Sequence, residues 1–367
     1  MAKRKSAVDS RILSLLERLT GAYGPSSFEG DVRDIFRQEV KGFADKVWTC
    51  GLGSIIAQKS GGAKQPRIMI AGHMDEVGFM VRGITSKGYI KFNPIGGWWG
   101  HVVLGQKVVI RTRNGKDVIG VIGSKAPHIL SSDERKKVMD LDKMFIDVGS
   151  YGDYNAPEKL GIRVGDPIVP LSGFHILGDG KMLMAKAWDD RIGVAAAIEV
   201  LRRLKGVRHP NTVFAVGTTQ EEVGLRGAGT SAYEVNPDIG FAIDVTIACD
   251  TPGSNDADFA EKCGKGPSIS VMDGSLLPNK TLLDFVIDTA EEEKIPYQLS
   301  GVSGATPTDA NVIQVTREGV ATALISIPTR YLHTPGEVLS LKDVEGAIKL
   351  ISAFVRRVEP KMSFIPE

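Results

Sequence analysis

At 367 residues the chain has room for one or two domains of ~150 residues with substantial cores, and is too long for a peptide hormone or a lone DNA-binding module. Hydrophobic residues make up 42% and charged residues 24%, the balance of a folded chain, and no apolar run approaches the ~18 residues of a membrane span, so no membrane partner is expected. Lys and Arg number 45 against 44 Asp and Glu, and a net charge of +1 provides no field to hold nucleic acid.

The chain opens on Met1-Ala2-Lys3-Arg4-Lys5, which reads as a solvated basic tail. No uninterrupted apolar segment follows it, so export is not expected. Ile12, Leu13, Leu15, Leu16 and Leu19 have helical spacing, as do Val32, Ile35, Phe36 and Val40. Residues 68–71 form the first strand-like run that is apolar along its whole length. From about 81 to 171 the texture changes to short alternating runs broken by glycines, at 81–84, 89–92, 106–112 and 117–122, the pattern of a small β-barrel or sandwich. Afterwards strand and helix patterns alternate again: a run at 182–187, a helix at 192–204, strands at 212–216 and 239–243, a helix at 282–290, a strand at 320–325 and a last helical stripe through Val344, Ala347, Ile348, Ile351 and Val355.

The expected fold class is therefore α/β: a mixed, mostly parallel sheet sandwiched by helices, with a small β-barrel-like domain inserted. A discontinuous catalytic domain of residues 1–76 and 173–367 would flank an insertion of residues 77–172. Cys50, Cys249 and Cys263 are too few for a disulfide framework and form no C-x-x-C pair, which points to the reducing cytosol.

In open α/β sheets ligands bind beyond the carboxyl ends of the strands. Five runs here end in acidic or histidine residues: at His73 and Asp75, at Asp189 and Asp190, at Glu221 and Glu222, at Asp244, and at His333. Each alone has an ordinary explanation, such as a helix N-cap for Asp189-Asp190 or a solvated loop for Glu221-Glu222. Together they point to one shared site. Two imidazoles and three or four carboxylates suit zinc, cobalt or manganese, and they outnumber what one tetrahedral ion that keeps a water can use. Two ions sharing a carboxylate account for the set, with one free carboxylate to take a proton.

The runs Gly72-His73-Met74-Asp75-Glu76-Val77-Gly78, Ala187-Trp188-Asp189-Asp190-Arg191, Gln220-Glu221-Glu222-Val223-Gly224, Ile243-Asp244-Val245-Thr246 and Ile327-Pro328-Thr329-Arg330-Tyr331-Leu332-His333-Thr334 stand in the order of a known family. Over essentially its whole length the chain resembles the tetrahedral (TET), glutamyl and deblocking aminopeptidases, which are dinuclear metallopeptidases of the zinc-exopeptidase type. The resemblance implies that Asp189 bridges two metals, with His73 and Asp244 at opposite ends and Glu222 and His333 as further ligands. It also implies that Glu221 is the general base, that Asp75 orients the His73 ring, and that the Asp189–Asp190 peptide is cis. The insertion would serve dimerisation within a hollow homododecamer whose inward-facing sites admit short peptides. Trp98-Trp99, in Gly96-Gly97-Trp98-Trp99-Gly100, are read either as an interface anchor or as packed barrel aromatics. His101, His128, His175 and His209 match no metal motif and read as structural.

Three other classes compete. A glycoside hydrolase needs two carboxylates flanking a sugar bond, which adjacent Glu221 and Glu222 do poorly, and has no use for His73 and His333. A non-catalytic assembly scaffold would not need an intact ligand set and base. The loose nucleotide-loop pattern Gly227-Ala228-Gly229-Thr230-Ser231-Ala232 follows a loop rather than a strand and lacks the required context.

Overall fold

The computed structural model describes residues 7–254, 261–274, 276–302 and 307–366, and the basic tail at 3–5 lies outside them. The central sheet is built on four parallel strands, in the order Thr212–Thr218, Arg67–His73, Ile239–Ile247 and Ala321–Arg330. Antiparallel strands extend it on both sides, Ile55–Lys59 and Lys46–Thr49 beside the first, and Glu337–Ser340, Met182–Ala185 and His175–Leu177 beyond the last. Ser268–Asp273 joins Ala321–Arg330 antiparallel and carries Gln298–Val302 parallel to itself.

Both faces of the sheet are covered, which is why its central strands are apolar throughout. Ile68 and Ile70 pack into one core with the helices Ala7–Gly21, Trp188–Arg203 and Leu341–Arg357, while Met69 and Ala71 pack into a second with Arg226–Val235 and Asp309–Gln314. Each fully buried Ile or Leu in these cores contributes about 1.5–3 kcal/mol. The helix Trp188–Arg203 crosses Arg67–His73 at backbone contact. A Cβ on Gly72 would lie 2.3 Å from the Gly193 carbonyl carbon, so glycine is required there, and the close approach sets Asp189 beside His73.

The N-terminal helix is tied to the same helix from its other end. The buried Arg191 guanidinium donates to the carbonyls of Leu19 (2.7 Å) and Gly24 (3.1 Å) and to Glu76 (3.1 Å), and the buried Lys186 ammonium completes the charge cluster on Glu76 at 2.5 Å.

Six strands from Gly78 to Pro170 close into an antiparallel barrel, ordered Gly78–Ile84, Ile90–Ile95, Phe145–Asp147, Asp117–Gly123, Lys107–Arg111 and Pro167–Pro170. Its separate core contains Phe79, Phe92, Val108, Ile110 and Ile146. Along Asp117–Gly123 buried and exposed residues alternate, as the sequence pattern of that run requires. Among the described residues no helix is long and apolar enough to cross a membrane.

The sequence reading passed over several strands. Ser268–Asp273 and Gln298–Val302 are interrupted by Ser268, Ser270, Gln298 and Ser300 and lack the apolar continuity of the central strands. Ile239–Ile247 runs past Asp244 instead of ending before it, because Val245, Thr246 and Ile247 continue the ladder against Ile327, Pro328 and Thr329. Gly227-Ala228-Gly229 lies inside the helix Arg226–Val235 and forms no phosphate loop.

Candidate functional site

The carboxyl ends of the parallel strands open on a single crevice. His73 is the last residue of its strand and pairs in register with Thr218, so the turn after Thr212–Thr218 delivers Glu221 and Glu222 beside it. Asp244 sits opposite Ser326 on the next pair of strands. His333 follows Ala321–Arg330 in a tight turn with positive φ at Tyr331 (62°) and His333 (55°). Asp189 enters from the start of Trp188–Arg203, where it and Asp190 depart from helical angles and their shared peptide is cis.

The Asp189 carboxylate spans the two imidazoles. Its Oδ1 is 2.9 Å from His73 Nε2 and its Oδ2 is 3.3 Å from His333 Nε2. Glu222 Oε1 lies 3.4 Å from His333 Nε2, and Glu221 Oε2 lies 3.8 Å from His73 Nε2. Donor atoms of His73, Glu221 and Asp244 fall within 4.8 Å of one another, as do those of His73, Asp189 and Glu222. Donor atoms of His73 and Asp244, which the resemblance sets at opposite ends of a metal pair, lie within 4.8 Å of each other, and Glu222 lies near His333.

A surrounding layer holds these groups. His73 Nδ1 is 3.1 Å from the Asp75 main-chain carbonyl and 3.5 Å from its carboxylate, so the nearer acceptor is the peptide oxygen. The Asp75 carboxylate instead accepts from the Ser26 hydroxyl (2.6 Å) and from the N–H groups of Glu221 (3.0 Å) and Glu222 (3.2 Å). Asp190 accepts the His73 N–H at 2.9 Å. Buried Glu337 accepts the N–H of His333 (2.9 Å) and of Asp189 (3.2 Å). Glu29 accepts the N–H groups of Ser27 (2.9 Å) and Gln220 (3.1 Å) and the Thr219 hydroxyl. The sequence reading missed Glu29 and Glu337; the one available signal was the four-residue spacing of Glu337 from His333.

Burial pushes the carboxyls of Glu221 and Glu222 up, to about 11 and about 8. Asp190, Asp244 and Glu337 are also held well above the carboxylate range, by burial first and by neighbouring acids second. Burial alone would depress the imidazoles, yet the surrounding carboxylates win: His73 is raised, and His333 reaches about 10.

The crevice is a cavity of about 740 Å³. Among the described residues lining it there are acids and the His333 imidazole but no lysine or arginine. Glu222 Oε1 is buried without a hydrogen bond. Buried acids crowded closely enough to hold one another's protons, with an orphaned oxygen among them, suit a cation, and an imidazole–carboxylate donor set is the one that divalent zinc, cobalt or manganese takes. The residues present fit such ions. Beyond the acids, one wall is formed by Trp98, Trp99 and Val102 from the barrel, and a second lobe by Ser270, Asp273, Ser300 and Ser326. Trp98 packs on Phe79, with ring centroids 4.6 Å apart, whereas Trp99 is 63% exposed. His209 is buried against Asn211, apart from the site.

The family model for M42 glutamyl aminopeptidase matches residues 53–350. The lysyl aminopeptidase of Pyrococcus furiosus is 36% identical, over 96% of this chain and 99% of its own. Among solved structures, the TET aminopeptidase from the marine sediment archaeon Thaumarchaeota archaeon SCGC AB-539-E09 superposes with a TM-score of 0.93 at 45% identity, covering 96% of this chain and 98% of that one. Pyrococcus horikoshii TET1 peptidase, described as able to assemble into a tetrahedron or a large octahedral shell, superposes with a TM-score of 0.83 at 33% identity, covering 95% of this chain and 100% of that one.

Proposed function

The chain belongs to the M42 glutamyl aminopeptidase family, and on that footing we propose that it releases N-terminal amino acids from short peptides at a site for two divalent cations. The observation that carries this reading is the Asp189 carboxylate reaching both His73 and His333, with Glu221, Glu222 and Asp244 gathered around it.

In this reading Asp189 would be shared by the two ions, with His73 and Asp244 holding one and Glu222 and His333 the other. When bound, the ions supply Lewis acidity to the scissile carbonyl and lower the pKa of the attacking water. Glu221 takes the proton from that water and returns it to the departing amine, the task of a general base whose carboxylate binds no metal. Asp75 fixes Glu221 through the peptide N–H and so aims the base. The acidic lining of the cavity draws the free α-ammonium of a peptide toward the reacting end.

Residues 77–172 serve in this proposal as a dimerisation domain within a homododecamer of cytoplasmic location. The assembly described for the Pyrococcus horikoshii relative supports self-association. Light scattering on the purified chain tests it, with a mass near twelve subunits expected and a monomer contradicting it.

The functional test is hydrolysis of aminoacyl-p-nitroanilides by protein stripped with chelator and restored with zinc, cobalt or manganese. Activity that vanishes and returns with metal is the expected result. Metal-independent cleavage of a glucan, with none of peptides, would establish the glycosidase alternative instead, and an inert protein the scaffold.

A further inference from the structure

The inserted barrel does more than flank the site: one of its loops touches the ligand set. The two imidazoles are oriented in different ways. His73 finds an acceptor for Nδ1 two residues along its own segment. His333 stands in a turn with positive φ and finds its acceptor 236 residues away, in the barrel, where the carbonyl of Gly97 lies 2.9 Å from Nδ1. A carbonyl can only accept, so this contact fixes a proton on Nδ1 and makes Nε2, which faces Asp189 and Glu222, the nitrogen available to a cation.

The carbonyl is held in place from behind. Trp98 donates its indole N–H to the Gly78 carbonyl at 3.0 Å and stacks on Phe79, itself buried in the barrel core. The loop also runs close to His333 and Glu222. A Cβ on Gly97 would stand 3.3 Å from His333 Nδ1, and one on Gly96, whose φ is +75°, would stand 3.0 Å from Glu222 Oε2. The line of contact from barrel core through Trp98 and Gly97 to His333 is therefore continuous.

We propose that Gly97, anchored by Trp98, is a positioning residue that the barrel contributes to the metal site, so that the catalytic centre is completed across the two domains. The inference rests on His333 being a metal ligand. Outer partners of a ligating histidine typically change metal affinity by ~10–100-fold.

Two variants of the full-length protein test it, each followed by zinc titration calorimetry on the stripped protein, by thermal melting without metal, and by turnover. Gly97→Ala, whose Cβ presses on Nδ1, should weaken one of the two zinc-binding steps by ~10–100-fold while the metal-free melting temperature holds. Trp98→Phe keeps the stacking on Phe79 and loses only the indole donor, so it should fold and show a smaller loss at the same step. Wild-type zinc affinity in Trp98→Phe and in a folded Gly97→Ala would overturn the proposal. If the wild-type protein itself binds no zinc, the metal-site reading fails instead, and the two failures are distinguishable.

Discussion

The carboxylate of Asp75 accepts the main-chain N–H of Glu221 at 3.0 Å, across 146 residues of sequence. The same carboxylate takes the Glu222 N–H and the Ser26 hydroxyl, so all three of its partners are donors.

An amide at this position would present a donor to a donor. Asp75→Asn should therefore lower kcat by ~10–100-fold, the usual effect of disturbing an outer partner of a metal ligand, with metal still bound. Unchanged kinetics in a correctly folded variant would remove Asp75 from the machinery.

Glu221→Gln keeps the shape of the base and removes its ability to take a proton. Turnover should fall by at least ~10²–10⁴-fold, the contribution of general acid–base catalysis, while two equivalents of metal remain by elemental analysis. Loss of metal together with activity would make Glu221 a ligand rather than the base.

Asp244→Ala and His333→Ala should lose metal as well as activity, because each removes a donor from a different end of the cluster. A fully active, metal-replete Asp244→Ala protein would sink the assignment. Chelator treatment of the wild-type protein should abolish activity and also lower the melting temperature, since bound ions neutralise the clustered carboxylates.

No lysine or arginine lines the cavity among its described residues, and Asp273 in the second lobe is buried with one carboxylate oxygen unpartnered, its pKa pushed up to about 6 by burial. A substrate with an acidic first residue meets no opposite charge there. Glutamyl- and aspartyl-p-nitroanilides should therefore be cleaved at least ~10-fold less efficiently than leucyl or lysyl ones, a difference of about 1.4 kcal/mol; the reverse ranking would place the side chain in a different pocket.

His209 gives a pH prediction independent of the metals. Burial lowers its pKa below the ordinary 6.5. In the unfolded chain it gains a proton as pH falls through 6.5 and in the folded one it does not, so its contribution turns destabilising below that pH. The melting temperature should fall between pH 6.5 and 5, and His209→Gln should flatten the decline. An equal slope in both proteins would remove His209 as the cause.

Much of the candidate site was legible because its residues sit where the chain pattern changes. His73, Glu221 and His333 each fall where an apolar run gives out, and such a break survives in the sequence as a visible edge. The barrel was legible for the same reason, since Asp117–Gly123 alternates with period two. What escaped reading were relationships with no local signature. Glu337 acts through two main-chain N–H groups, and Gly97 acts through a carbonyl, which every residue possesses. Strands carrying polar residues such as Ser268–Asp273 escaped because pairing, not apolar patterning, defines them.

Arg191 gives the chain's first helix an unexpected standing. Its guanidinium takes the carbonyls of Leu19 and Gly24, and it follows the Asp189–Asp190 pair directly. Cutting the chain back beyond Leu19 would take from a fully buried guanidinium its shortest acceptor, the Leu19 carbonyl at 2.7 Å, at the residue that follows Asp189 and Asp190. For anyone shortening this protein, that cut reaches the start of the helix that carries Asp189 from 172 residues away in sequence, and is more than a trimming of its edge.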